Sequence, residues 1–353
     1  KIPYVLEPET EVIIYRTVFG KSTQERFLPD VLGNFARVII ASRMNDECKP
    51  LGEWISNFDK YRRYCDKEGR LLRMEIYGGI IPAWLSEEDR KKFTAPLRRM
   101  LIAVGEEEGG KGISGRDSLR LFSEFFNRYG KRTSLINMDN VTDFFKHHIE
   151  REFRNEHIPQ RFLPSLVDSY DHAVLNKVKE ALYSYNTKQI TRDVLTYLWV
   201  INYDIGARIK CGYTGEEVEV TSEFLTFMAE HVTGKTMSRQ EVLVFNQDLQ
   251  KKYVVTKAKE KAPIENTDFY RDLFNGYVKY LKENVLKPFV ENPNFRVAIK
   301  AFGTQEFDTF DTRLKEHVAY MLKNLKVKFG YTDQGAKEIC LYMLDKKLHQ
   351  KFS

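Results

Sequence analysis

Apolar residues recur at three- and four-residue intervals along almost the whole chain, and that spacing commits it to packing helices against one another. Val12, Ile13, Tyr15 and Phe19 run up to Gly20, a residue suited to the position just past a helix end. Leu314, Val318, Met321 and Leu325 keep the same period near the other end of the chain. One segment breaks the rule. In 208–220, Ile209 and Cys211 face Val218 and Val220 across Gly212-Tyr213-Thr214-Gly215, the pattern of a hairpin. The expected class is therefore mainly α: a helical bundle over 1–155, then a second helical domain over 156–353 that carries one small β-hairpin.

With 42% apolar and 30% charged residues among 353, the chain has enough material for a buried core and is not a disordered polymer. Its net charge of +6 is spread over many helix faces without a long single-sign block. That distribution argues against a dedicated nucleic-acid arm and against a membrane-surface segment. The longest apolar stretch, around 194–201, is far too short to span a bilayer. Cys48, Cys65, Cys211 and Cys340 form no C-x-x-C pair, which fits reduced thiols in a cytoplasmic protein. The opening Lys1-Ile2-Pro3-Tyr4, with no initiator Met and no leader pattern, leads us to expect a piece of something longer.

Helices are expected over 7–19 and from Pro29 through Ser42, with Pro29 in the first turn of the second. A third follows Gly112-Ile113-Ser114-Gly115-Arg116-Asp117, where Ser114 and Asp117 have capping spacing and Leu119, Phe122, Phe126 and Tyr129 line one face. A fourth starts at Asp139. The stretch 45–112 lacks this regularity and reads as an insertion, with a short helix from Ser86 and a polar, glycine-rich loop over 105–112. Beyond Pro159, helices are expected at about 162–184, 191–203, 222–232, 239–256, 267–290, 310–328 and 333–347.

Several motifs invite a chemical reading and fail on context. Val297-Ala298-Ile299-Lys300 spells a kinase strand motif, but no glycine-rich loop precedes it and only 53 residues follow; a short helix ending at Gly303 is the better reading. Ala229 to Thr236 approximates a phosphate loop, yet Phe224, Leu225, Phe227 and Met228 before it form a helix face that Gly234 ends. His147 and His148 with Glu150 and Glu152 lack further metal ligands and read as a solvated helix face, so no metal site is expected. The turn 112–117 is different. A cation in the first turn of a helix opposes the helix dipole, so an anion held beside Arg116 is one expectation; the alternatives are a salt bridge to Asp117 or Glu124, or a simply solvated side chain.

In order and content, 1–155 resembles the helical lid of an AAA+ ATPase, and the turn 112–117 resembles the one that carries the sensor-2 arginine. More specifically, Gly112-Ile-Ser-Gly-Arg-Asp-Ser-Leu-Arg-Leu-Phe122, Ile149-Glu-Arg-Glu-Phe153, Tyr213-Thr-Gly215 and Phe329-Gly-Tyr-Thr-Asp-Gln-Gly-Ala-Lys-Glu-Ile-Cys340 are similar to PrkA-type serine protein kinases. The resemblance implies phosphorylation of protein serine or threonine, with ATP and Mg2+ held by an AAA+ core upstream of Lys1 rather than by this chain alone. It implies nucleotide contact by Arg116, with Ser114 and Gly115 beside it. It names no catalytic residue, and this piece alone is expected to be inactive. The second domain would recognise a protein substrate or regulatory protein, and oligomers would be expected only with the core present. The rival expectation is a non-enzymatic helical scaffold or regulatory module that binds a protein partner.

Overall fold

The computed structural model describes residues 3–151, 158–159, 161–183, 187–259 and 263–352. The fold is mainly α, and the described residues contain a single two-stranded sheet. They divide into two compact units: one of 1–178, 296–309 and 322–353, the other of 179–295 and 310–321. The boundary expected at 155/156 lies outside the described residues, as do the side chains of His148, Glu150 and Glu152.

The first unit opens with α1 (Pro8–Phe19) and α2 (Val31–Ala41). Gly20 ends α1 at positive φ, and its N–H bonds the Arg16 carbonyl. Pro29 lies before α2 rather than in its first turn, because Asp30 takes a left-handed conformation and delays the helix to Val31. Next come α3 (Lys49–Trp54), α4 (Arg70–Tyr77), α5 (Glu87–Lys92) and α6 (Ala95–Glu107), then α7 (Gly115–Tyr129) and α8 (Met138–Arg151). The core between α1, α2, α7 and α8 is aromatic. Tyr15 stacks on Phe122 at 4.5 Å, and Phe35 lies 4.9 Å from both Phe125 and Phe145. All five rings are fully buried, and such pairs add about 0.5–1.5 kcal/mol each beyond the area they bury.

The stretch 45–112 is built into this core. Leu51, Trp54, Ile55, Leu72, Met74 and Leu101 are buried. The polar loop expected over 105–112 is a correction: α6 continues to Glu107, and Glu108 is itself buried. The reason is an ion pair. Glu108 meets Arg73 at 2.6 Å with both side chains sealed from solvent, and it also accepts from Tyr77 Oη at 2.9 Å and from the Asn45 N–H at 2.8 Å. The charge that made 105–112 look solvated is the one the interior needs.

The second unit contains α10 (Thr187–Val200), following α9 (Phe162–Leu182), and then the hairpin β1 (Arg208–Lys210) and β2 (Glu217–Glu219). The strands are antiparallel with Ile209 opposite Val218. Then come α11 (Ser222–Thr233), α12 (Arg239–Lys259), α13 (Asp268–Asn284) and α14 (Lys287–Val290), and α15 (Pro293–Ala301) starts here but belongs to the first unit from Arg296 on. The helix expected over 267–290 is two, because Pro288 has no N–H for the Asn284 carbonyl. Val194, Tyr197, Leu198, Met228, Leu249 and Tyr253 form the core of this unit. Gly234 caps α11 in a left-handed conformation, and Lys300 lies on α15, so neither nucleotide-like motif has its required context.

Back in the first unit, α17 (Asp333–Asp345) follows α16 (Thr312–Phe329) and precedes α18 (Leu348–Lys351). Glu338 accepts from the Leu135 N–H at 3.0 Å, and Gln334 donates to the Thr133 carbonyl at 2.8 Å. Tyr342 and Lys351 both reach the buried Asp171 of α9, at 2.7 and 2.8 Å. Residues two hundred positions apart in sequence thus close one core.

Two outcomes follow. Glu108→Gln leaves Arg73 buried without its counter-charge and should cost about 3–5 kcal/mol in urea unfolding, while replacing both partners by Met recovers a large part of that loss. His231 sits between Phe227 and Tyr280, with ring centroids 3.7 and 4.0 Å away, and burial pushes its pKa down against the pull of the Phe227 carbonyl. The unfolded chain therefore takes up this proton first. Stability is intact above about pH 6.5 and declines as pH falls below it, and His231→Phe should remove that part of the slope.

Candidate functional site

The turn 112–117 is held from behind by a buried charge. Arg43, just past the end of α2, forks onto Glu11 of α1 at 2.9 and 3.2 Å. Both residues are almost fully buried. The same guanidinium donates to the Ile113 carbonyl at 2.9 Å and to the Val5 carbonyl at 2.7 Å. Glu11 in turn accepts from Ser118 Oγ at 2.5 Å and from Tyr15 Oη at 3.2 Å. Ser42 Oγ takes the Ile113 N–H at 3.0 Å. The pair thus joins α1, the end of α2, the turn and the first coil of α7.

Gly112 makes the close approach possible. It has φ +78°, and a Cβ there would collide with the backbone of Ser42 and Arg43. Gly115 is unlike it, since an added Cβ would meet nothing within 4 Å. Ser114 caps α7: its hydroxyl accepts the Asp117 N–H at 3.1 Å and donates to Asp117 Oδ2 at 2.6 Å. The Ser118 N–H is taken by the Ser114 carbonyl. Those of Gly115 and Arg116 bond no described residue.

Arg116 is exposed and makes no hydrogen bond or ion pair with any described residue. The two carboxylates that could have neutralised it are occupied. Asp117 serves the cap and lies 4.0 Å from Arg120, and Glu124 pairs with Arg120 at 2.9 Å. The turn therefore presents a free guanidinium and two free N–H groups at a helix N-terminus, an arrangement suited to an anion. Sequence reasoning placed these residues together but gave no sign of the Glu11–Arg43 pair beneath them, whose members lie 32 positions apart.

A model of the PrkA serine protein kinase C-terminal domain matches residues 71–342. The chain belongs to that family. The PrkA match begins inside the stretch 45–112 and runs through the turn 112–117, the hairpin and most of α17. No curated protein and no solved structure matches the chain.

A concavity of about 720 Å³ lies elsewhere in the first unit, where Val12 and Arg16 of α1, Leu28 and Leu32 face Phe329 and Thr332 from the PrkA-like passage before α17. Its walls carry both signs of charge, with Arg16, Lys21 and Arg37 alongside Glu9, Glu25 and Asp30. Among the described residues no group of three His, Cys, Asp or Glu side chains is placed to hold a metal, and no helix is long and apolar enough to cross a membrane.

Two substitutions separate the glycines of the turn. Gly112→Ala should lose about 2 kcal/mol or more in thermal or urea unfolding, because both the positive φ and the Ser42 contact oppose a side chain. Gly115→Ala should stay within about 0.5 kcal/mol of the parent.

Proposed function

We propose that this chain is the C-terminal part of an ATP-dependent serine/threonine protein kinase of the PrkA type. Residues 1–155 act as an AAA+-like lid, and Arg116, flanked by Ser114 and Gly115, reaches the phosphates of a nucleotide held with Mg2+ by a core outside this chain. The observation that carries the reading is the solitary guanidinium of Arg116, exposed at the start of α7 on a turn that a buried ion pair holds in place. A cation at a helix N-terminus costs free energy unless an anion shares the site. The family match supports the kinase class of the intact protein.

In this reading the protein's own residues do three things. Glu11 and Arg43 fix the turn, Ser114 fixes the first coil of α7, and Arg116 offers two parallel N–H groups to phosphate oxygens. When bound, ATP with Mg2+ supplies the transferable phosphoryl group. Closure of the lid then couples nucleotide state to helices that recognise a protein substrate or regulatory protein, and the intact protein assembles in the cytoplasm as an oligomer.

The test compares phosphorylation of a generic protein substrate by the intact protein, by its Arg116→Ala form and by the 353-residue chain. The kinase reading expects turnover to fall roughly a hundredfold or more in Arg116→Ala and to be absent in the isolated chain. Turnover unchanged by Arg116→Ala favours a helical scaffold that binds a protein partner. That rival draws support from Lys300, which lies on a helix rather than on the strand a kinase lysine requires.

A further inference from the structure

In the second unit, the hairpin and two helices assemble an aromatic enclosure around one lysine. Lys257 Nζ of α12 lies 5.6 Å from the Trp199 ring, 5.6 Å from Tyr253 and 6.0 Å from Tyr213. Tyr213 and Tyr253 are joined by a hydrogen bond between their hydroxyls at 2.7 Å. Gly212, in the turn between β1 and β2, lies so close to the Trp199 ring that a side chain there would collide with it. The hairpin turn thereby fixes both Tyr213 and Trp199.

Beside this enclosure is a concavity of about 440 Å³ lined by Trp199, Asn202, Tyr203, Tyr253, Val254, Lys257 and Ala258. Its size is that of a small-molecule site. Among the described residues of its lining, the only formal charge is the Lys257 ammonium. That ammonium has no carboxylate partner among the described residues, and its one hydrogen bond, to Tyr253 Oη, is long at 3.4 Å. The Trp199 indole N–H is sealed from water and bonds none of the described residues. Tyr203 and Val254 stand exposed at the mouth, at 42% and 55% of their full accessibility.

We propose that this concavity binds a planar aromatic ligand carrying an anionic group. The ring lies against Trp199 and Tyr203, and the anion meets the Lys257 ammonium, two of whose three N–H donors are unused. Stacking on such faces accepts any flat π-system, so the ring supplies affinity, and the lone positive charge selects the anion. A cationic ligand would meet the Lys257 charge with no carboxylate in the lining to offset it. Two sources share this chemistry, a nucleoside monophosphate and a phosphorylated tyrosine side chain.

The chain has three tryptophans, Trp54, Trp84 and Trp199, so its indole N–H resonances give a direct readout, with Trp199→Phe assigning the one of interest. The probes are AMP, O-phosphotyrosine, adenosine and inorganic phosphate, each titrated to about 10 mM into the full chain. AMP or O-phosphotyrosine should shift the Trp199 resonance saturably while Trp54 and Trp84 stay in place, and the stronger of the two names the source. Adenosine and phosphate alone should act about tenfold more weakly or not at all. Lys257→Met, which keeps an unbranched side chain one atom shorter and removes the charge, should weaken the aromatic anions about tenfold or more, with the unmoved Trp54 and Trp84 resonances reporting an intact fold. Three results would overturn the proposal: no shift with either aromatic anion, equal shifts in Lys257→Met, or adenosine titrating as well as AMP.

Discussion

Everything at the turn 112–117 rests on Glu11 and Arg43 being buried against each other. Two charges taken out of water cost several kcal/mol each, and the interior recovers this only when geometry is good and the remaining donors and acceptors are filled. Here they are. Arg43 has Glu11, the Ile113 carbonyl and the Val5 carbonyl, and Glu11 has Ser118 and Tyr15 besides. Satisfying the pair requires α1, the end of α2 and the start of α7 to be in one place. The position of Arg116 is a consequence.

The same device recurs a few residues away. Arg73 and Glu108 are both sealed from solvent and bind the end of α6 to α4, and Arg70 gathers Asp46, Asp66 and Glu68. These pairs turn the stretch 45–112 from a string of polar residues into part of the first unit's interior. Glu108 lies just before Gly112 and Arg43 takes the Ile113 carbonyl just after it, so the backbone that delivers Arg116 is held by a member of one buried pair on each side. A guanidinium left exposed and unpaired over so tightly fixed a base is the contrast that carries the nucleotide reading, and the PrkA family match supplies the class of reaction.

Helix period, caps and stop signals were legible because they are local. The sequence places α1, α7, α11, α17 and the hairpin 208–220 within a few residues of their observed bounds. The misses share a cause. Glu108 reads as solvated beside Glu106 and Glu107, and only a partner 35 positions away makes it a core residue. Asp30 in a left-handed conformation and the split at Pro288 were nearer to hand, the second because proline's missing donor is visible in any sequence. At the candidate site, the grouping of Ser114, Gly115 and Arg116 was legible, and the i,i+4 spacing of Arg120 and Glu124 marks their pair, whereas the Glu11–Arg43 pair beneath the turn was not, because its members come from separate elements that periodicity does not bring together. The enclosure around Lys257 was invisible for the same reason, as its rings come from three separate elements.

The most direct test of the account is a double-mutant cycle at the buried pair, measuring unfolding free energies of the parent, Glu11→Gln, Arg43→Met and the combination. A coupling energy of about 3 kcal/mol or more between the two sites is the predicted result, since each single change strands a buried charge that the double change removes. Additive losses, with coupling near zero, would show that the pair does not hold the turn and would contradict the account.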